Sequence, residues 1–184
     1  QAGAVGRLAY NADEARRRWE SGLDALGQKS ATLTILCAQE HADMIRKLIQ
    51  TWQGALGITL ILRLEAVDRA ELRTRLEKGD YEIAFAPVTA SGSSAVEFLS
   101  QFASAASGNL LNYSSEAYNK IISSMNMAAS RQLIQLCKQA ETHLIQNGLV
   151  YPLYAESSFF AMAQNVSGIV YHTLDGTVRF LKGE

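Results

Sequence analysis

Apolar residues in "NADEARRRWESGLDALG", residues 11–27, recur at helical spacing, with Ala15, Trp19, Leu23 and Leu26 on one stripe. Asn11 stands where an N-cap belongs, Glu14 follows three residues on, and Gly27 supplies the stop. "ATLTILC", 31–37, has the β-branched and apolar density of a strand. "HADMIRKLIQTWQGALG", 41–57, puts Met44, Ile45, Leu48, Ile49, Trp52 and Leu56 on one helical face before Gly57. In "ITLILRLE", 58–65, Ile58, Leu60, Leu62 and Leu64 alternate against a more mixed second face, which predicts a strand. "VDRAELRTRLEKGD", 67–80, repeats the helix grammar: Asp68 caps, Glu71 completes the box, Leu72 and Leu76 point inward, and Gly79 ends it. "YEIAFAPV", 81–88, reads as the third strand. Strand, helix, strand, helix, strand with short joints predicts an α/β layer with right-handed crossovers.

The pattern then loosens. "TASGSSAVEFLSQFASAASGNLLNY", 89–113, is small and polar and reads as a surface excursion, with only Val96, Phe98, Leu99 and Phe102 hinting at a short helix. Helical spacing resumes at Tyr118, Ile121, Ile122 and Met125, and again from Leu133, Ile134, Leu136 and Cys137 through Ala140, Leu144 and Ile145 to Gly148. "LVYPLYAES" and "FFAMAQNV" are strand-like, and in "SGIVYHTLDGTVRF" the pair Asp175-Gly176 signals a turn between β-prone flanks. The whole of 1–184 reads as a single domain.

Charge narrows the function classes. Seventeen basic against eighteen acidic residues give a net charge of −1, without the Lys/Arg excess that neutralises nucleic-acid phosphates. Arg16, Arg17 and Arg18 are interleaved with Asp13, Glu14 and Glu20, as on a solvated helix face. No apolar run approaches the roughly 20 residues that span a bilayer. The chain starts at Gln1, and a helix pattern begins within about ten residues; any export signal is expected upstream.

Candidate chemistry is sparse. His41, His143 and His172 lack HExxH spacing and Cys partners, "SGSSA" lacks the GxSxG elbow, and neither GxGxxG nor GxxxxGK[ST] occurs. Cys37 and Cys137 have no CxxC spacing and read as buried free thiols. These patterns give no catalytic residue, metal site or cofactor, and the chain reads as a non-enzyme. In open α/β sheets ligands gather outside the carboxyl ends of the strands, so the loop from Pro87 to Ser94 is the default binding surface.

An ordered series of segments resembles the family 5 extracellular solute-binding proteins, receptors of peptide and nickel ABC importers. "YNADEARRRWESGL" resembles that family's "YDPEKAKELLKEAGY" helix, and "GITLILRLEAVDRAELRTRLEKGDYEIAFAPV" resembles its passage ending in "GDYD". "NYSSEAYNKIISSM" is similar to "GYSNPEYDKLLDEA", and "AETHLIQNGLVYPLYAESSFFAMAQNVSGIVY" to the stretch where a helix leads to "P.IPLY" and "V.G". The resemblance implies a mixed sheet flanked by helices, the second lobe of a two-lobed, type II periplasmic-binding-protein-like receptor, with 172–184 the return segment toward a first lobe lying N-terminal of this chain.

The function it implies is binding an oligopeptide or similar small solute in an interlobe cleft, for delivery to ABC permease subunits, without nucleic acid or cofactor. The expected place is extracytoplasmic, periplasmic or at the cell surface, with the membrane reached only through a lipoprotein anchor upstream. An alternative is the same lobe as the ligand-sensing domain of a cytoplasmic transcription regulator. The chain departs from the family where a Trp and then Asp-Pro are usual: Pro87 or Val88 and Ser94-Ala95 stand there, and Asn119 replaces an Asp. Val88, Thr89, Ala90 and Ser91 on position, and Asn112 and Tyr113 because their turn resembles the family's segment beside the cleft, are the expected cleft residues.

Overall fold

The computed structural model describes residues 10–89, 94–154, 168–171 and 178–180. They fall into two compact units, one built from the chain up to Thr89 together with Phe102–Ser115, the other from 90–101 and the chain from Glu116 on.

The first unit is the predicted α/β layer. Helix α1 (Ala12–Ala25) precedes strand β1 (Ala31–Ala38), and a 3-10 turn at Gln39–His41 leads into α2 (Ala42–Leu56). Strand β2 (Leu60–Val67), helix α3 (Arg69–Lys78) and strand β3 (Ile83–Phe85) follow. The three strands lie in the order β2-β1-β3, and both pairings are parallel. Because β1 is central, successive residues along it feed two separate cores. Ile35 and Cys37 pack with Ile45 and Ile49 of α2 and with Leu60 and Leu62, and Trp19, Leu48 and Trp52 close over them. Leu36 and Ala38 face the other way, onto Val67, Leu72 and Leu76, with Tyr81 and Leu110 packed alongside.

Local chemistry sets the helix ends. Asn11 Oδ1 accepts from Glu14 N–H at 2.9 Å and Asp68 Oδ1 from Glu71 N–H at 2.8 Å, each satisfying an N–H that the helix leaves orphaned. The Glu14 carboxylate turns outward to Arg17 and Arg18, both at 2.7 Å, so the cap at Asn11 acts through one bond. At the other end of α3, Gly79 takes φ +68°, and the N–H groups of Gly79 and Asp80 return to Leu76 and Arg75.

Several expectations change. Ile58 lies before β2 and is 96% exposed, because the helix stop at Gly57 displaces the strand's start to Leu60. Leu26 is the C-cap of α1 and projects into solvent instead of joining the apolar stripe. Strand β3 is three residues long where eight were expected, since it pairs only with Ile35–Cys37.

The second unit, as described, is chiefly helical: α4 (Ala95–Ser100), α5 (Glu116–Met125) and α6 (Ser130–Gln146). Ser94 and Glu97 form a reciprocal capping box that starts α4, so part of the expected polar excursion is an ordered helix with Leu99 buried. Tyr118, 1% exposed, donates its hydroxyl to Leu99 O at 2.8 Å, and burial pushes its pKa well above the ordinary phenol value. Residues 149–154 form no strand, which corrects the first half of the "LVYPLYAES" expectation; "FFAMAQNV" lies outside the described residues. Strands β4 (Ile169–Tyr171) and β5 (Val178–Phe180) pair antiparallel, as the Asp175-Gly176 signal predicted, although the turn itself and His172 lie outside the described residues. Parallel and antiparallel ladders thus occupy separate sheets among the described residues. Cys37 and Cys137 are buried free thiols, as the sequence implied.

Candidate functional site at the carboxyl ends of the strands

All three strands of the first unit end at the same edge of the sheet, since parallel register aligns Ala38 with Val67 and Cys37 with Phe85. Side chains just beyond those ends therefore meet although they are far apart in sequence. Arg69, the first residue of α3, donates from Nε to Glu40 Oε1 at 2.8 Å and from Nη2 to the same oxygen at 2.6 Å. Nε also reaches Glu40 Oε2 at 3.0 Å. These bonds hold the Glu40 carboxyl below the usual carboxylate range. His41 Nε2 lies 3.6 Å from Glu40 Oε1, and the imidazole meets the Phe85 ring edge-on, centroids 5.0 Å apart. One cluster, Glu40, His41, Arg69 and Phe85, joins the ends of β1, β2 and β3.

Beyond β3, Val88 is 44% exposed and Thr89 is exposed, so both present their side chains at this edge without being buried by the unit. Ala90 and Ser91 lie outside the described residues. Asn112 and Tyr113 are elsewhere. Asn112 takes φ +47°, and a Cβ at Gly79 would overlap its carboxamide nitrogen. Gly79 precedes β3, whereas Val88 follows it, so the structure places Asn112 at the opposite end of the strand from Val88 and Thr89. The neighbouring Tyr113 carbonyl accepts from Asn109 Nδ2 at 3.0 Å, which closes the turn on itself.

Sequence reasoning passed over Glu40 and Arg69 and gave His41 no role. The available signal was positional: each lies two or three residues past a strand's carboxyl end, where ligands of open α/β sheets gather. Asp68, also at this edge, is committed to capping α3. No cluster of three or more metal-ligating side chains occurs among the described residues, and no described helix is long and apolar enough to cross a membrane.

No family model and no curated protein matches the chain. Solved structures do. The chain is similar to an oligopeptide ABC transporter substrate-binding domain from Bacillus anthracis, with TM-score 0.79 and 18% identity over 94% of this chain and 35% of that one. It is similar to the pheromone receptor PrgZ, described with its mode of peptide binding, with TM-score 0.73 and 18% identity over 95% of this chain and 35% of the other. Listeria monocytogenes OppA bound to peptide aligns with TM-score 0.63 and 22% identity over 73% of this chain and 26% of its own. The chain thus spans about a quarter to a third of the length of these three structures. The fold they share with it is that of one periplasmic-binding-protein-like lobe, a parallel sheet flanked by helices.

Proposed function

We propose that this chain is the second lobe of an extracytoplasmic solute-binding protein, a non-enzyme that holds an oligopeptide or similar small solute for an ABC permease. One observation carries the reading: nearly the whole chain superposes on peptide-receptor structures at TM-scores of 0.73 and 0.79. The ordered family segments in the sequence run in the same direction. In this reading residues 1–184 act together as one lobe. A first lobe forms the facing wall, closure by hinge motion buries the ligand, and the permease reads the closed form. The wall on this side is the carboxyl edge of the sheet, with Val88, Thr89, Ala90 and Ser91 as contacts, while Asn112 and Tyr113 shape the unit from its far end.

The missing Trp and Asp-Pro leave this wall without an aromatic plate, so backbone groups and small polar side chains do most of the binding. Half a cleft gives up much of the ligand's contact area, which predicts weak binding by the isolated chain. Non-denaturing mass spectrometry of the full-length protein from its own cells tests the reading. A ladder of co-purified peptide masses on a protein carrying a diacylglyceryl group is the expected result. An unlipidated protein fused to a DNA-binding domain would overturn it.

A further inference from the structure

We propose that β2 is a self-docking edge, a strand that pairs antiparallel with β2 of a second copy of this chain. In the order β2-β1-β3 it stands at the margin of the sheet, and among the described residues it pairs with β1 alone. Ala31 N–H donates to Thr59 O at 2.9 Å, and the parallel register carries that pattern onward, so Ile61, Arg63 and Glu65 turn their backbone groups toward β1. Leu60, Leu62, Leu64 and Ala66 turn theirs outward. Gln53 Nε2 meets the first of these, the Leu60 carbonyl, at 3.3 Å. From Leu62 to Ala66 no described side chain meets the outward groups, which leaves an open template for a further strand.

Side-chain charge selects both the partner and the register. Leu60 and Leu62 face α2, so Arg63 and Glu65 lie on the α3 side of the strand. Arg63 is exposed, and among the described residues no ion pair engages it. Glu65 gives Oε1 to Arg75 Nη1 at 2.6 Å and keeps Oε2 for another donor. With Leu64 on a two-fold axis, Leu62 exchanges backbone bonds with the partner's Ala66, and Leu64 with the partner's Leu64. Arg63 then stands directly opposite the partner's Glu65, in the closer kind of antiparallel pair, and symmetry makes the same contact twice. Sliding the copies by two residues stacks Arg63 on the partner's Arg63 in one direction, or Glu65 on the partner's Glu65 in the other, and like charges so placed repel. A slip of one residue turns the open groups away from each other. An unrelated extended peptide satisfies the backbone without this doubled charge match, so the edge fits a second copy best. Antiparallel pairing also sets the carboxyl edges of the two sheets at opposite ends of the joined ladder, away from each other.

Sedimentation equilibrium of the full-length protein tests the pairing. A short edge makes a small interface, so a weak dimer is expected, with a Kd of roughly 10–100 μM. R63E should weaken it about tenfold or more, and R63K should keep it. Thermal melting of R63E at the wild-type temperature shows that the fold is intact. Oxidative cross-linking reads the register. R63C mixed with E65C should form a disulfide-linked dimer in which one contact between Arg63 and the partner's Glu65 survives, and neither variant should cross-link with itself. Cys37 and Cys137 are buried and do not compete. A monomer at every concentration up to about 0.5 mM overturns the proposal, and so does a dimer that ignores R63E. Cross-linking of R63C or E65C with itself overturns the register that selects a second copy. A monomer whose Leu62, Leu64 and Ala66 amides resist hydrogen exchange also overturns it, by showing that the edge is occupied within one molecule. None of these results touches the peptide-receptor reading, which the co-purified masses decide independently.

Discussion

The two ends of the sheet in the first unit are built by different chemistry. At the amino-terminal end half-buried neutral ties stand beside the Arg75–Asp80 ion pair at 3.1 Å: Trp19 Nε1 donates to Thr59 Oγ1 at 3.0 Å, Tyr81 Oη donates to Leu110 O, and the Asn112 carboxamide fills the space that a Cβ at Gly79 would take. At the carboxyl end the ties are exposed and ionic, Glu40 with Arg69, or a ring edge, His41 on Phe85. Neutral buried bonds persist in salt and cannot open without leaving polar groups unsatisfied, whereas exposed ion pairs are screened and exchange readily. Salt should therefore loosen the carboxyl end more than the amino-terminal end.

Gly79→Ala attacks the amino-terminal end and should have the largest effect. A left-handed backbone costs a residue with a Cβ about 1–2 kcal/mol, and displacing Asn112 adds to that, so urea denaturation should show a loss of about 2 kcal/mol or more. Adding Asn112→Gly should return the packing part but not the backbone part, a coupling that a double-mutant cycle reads directly. If G79A and N112G simply add, the two residues do not act as a unit. At the carboxyl end Asp68→Ala should cost about 1 kcal/mol, because that side chain alone is committed to a helix cap. Tyr81→Phe should cost about 1 kcal/mol through the unpaired Leu110 carbonyl.

pH separates the ends further. Burial raises the Tyr81 pKa, so the folded state keeps a proton that the unfolded chain gives up. Its stabilising contribution is full below the unfolded phenol value near 10 and falls as pH rises through it, at no more than about 1.4 kcal/mol per pH unit. The difference between wild type and Tyr81→Phe at pH 9 and pH 11 isolates that slope. Glu40 behaves oppositely: its pKa is lowered by Arg69, so the pair is intact above the unfolded carboxyl value near 4.3 and is lost as pH falls through the folded one. The smallest effect belongs to E40Q at neutral pH, which should leave the denaturation midpoint where it was. A clear drop there would mean that the carboxyl end is structural after all.

What was legible in the sequence follows the reach of each signal. Caps are local, so Asn11, Asp68 and Gly79 could be read from neighbours three or four residues away. The Ser94–Glu97 box was equally local and still hid inside a run of small residues. Alternation in β2 identified Leu60 and Leu62 but extended too far back, to Ile58, because periodicity does not show the turn that separates Gly57 from the strand. The Glu40–Arg69 bond joins residues 29 apart, brought together only by the parallel register of β1 and β2. Asn112 was placed at the cleft because its turn resembles the family's segment there, and no local pattern shows that it packs on Gly79.

The interrupted path of the first unit has a consequence in time. A ribosome delivers residues from the amino terminus at about 5–20 per second, and Leu110, which packs against Leu36, Leu72 and Leu76, is made only after the chain has left for the second unit and come back. The sheet and its first core are complete on the nascent chain by about residue 85, while one side of the second core waits for some 25 residues more. For that interval, a second or a few, the growing polypeptide carries an apolar face open to chaperones, and translation pauses between 86 and 110 would lengthen that exposure.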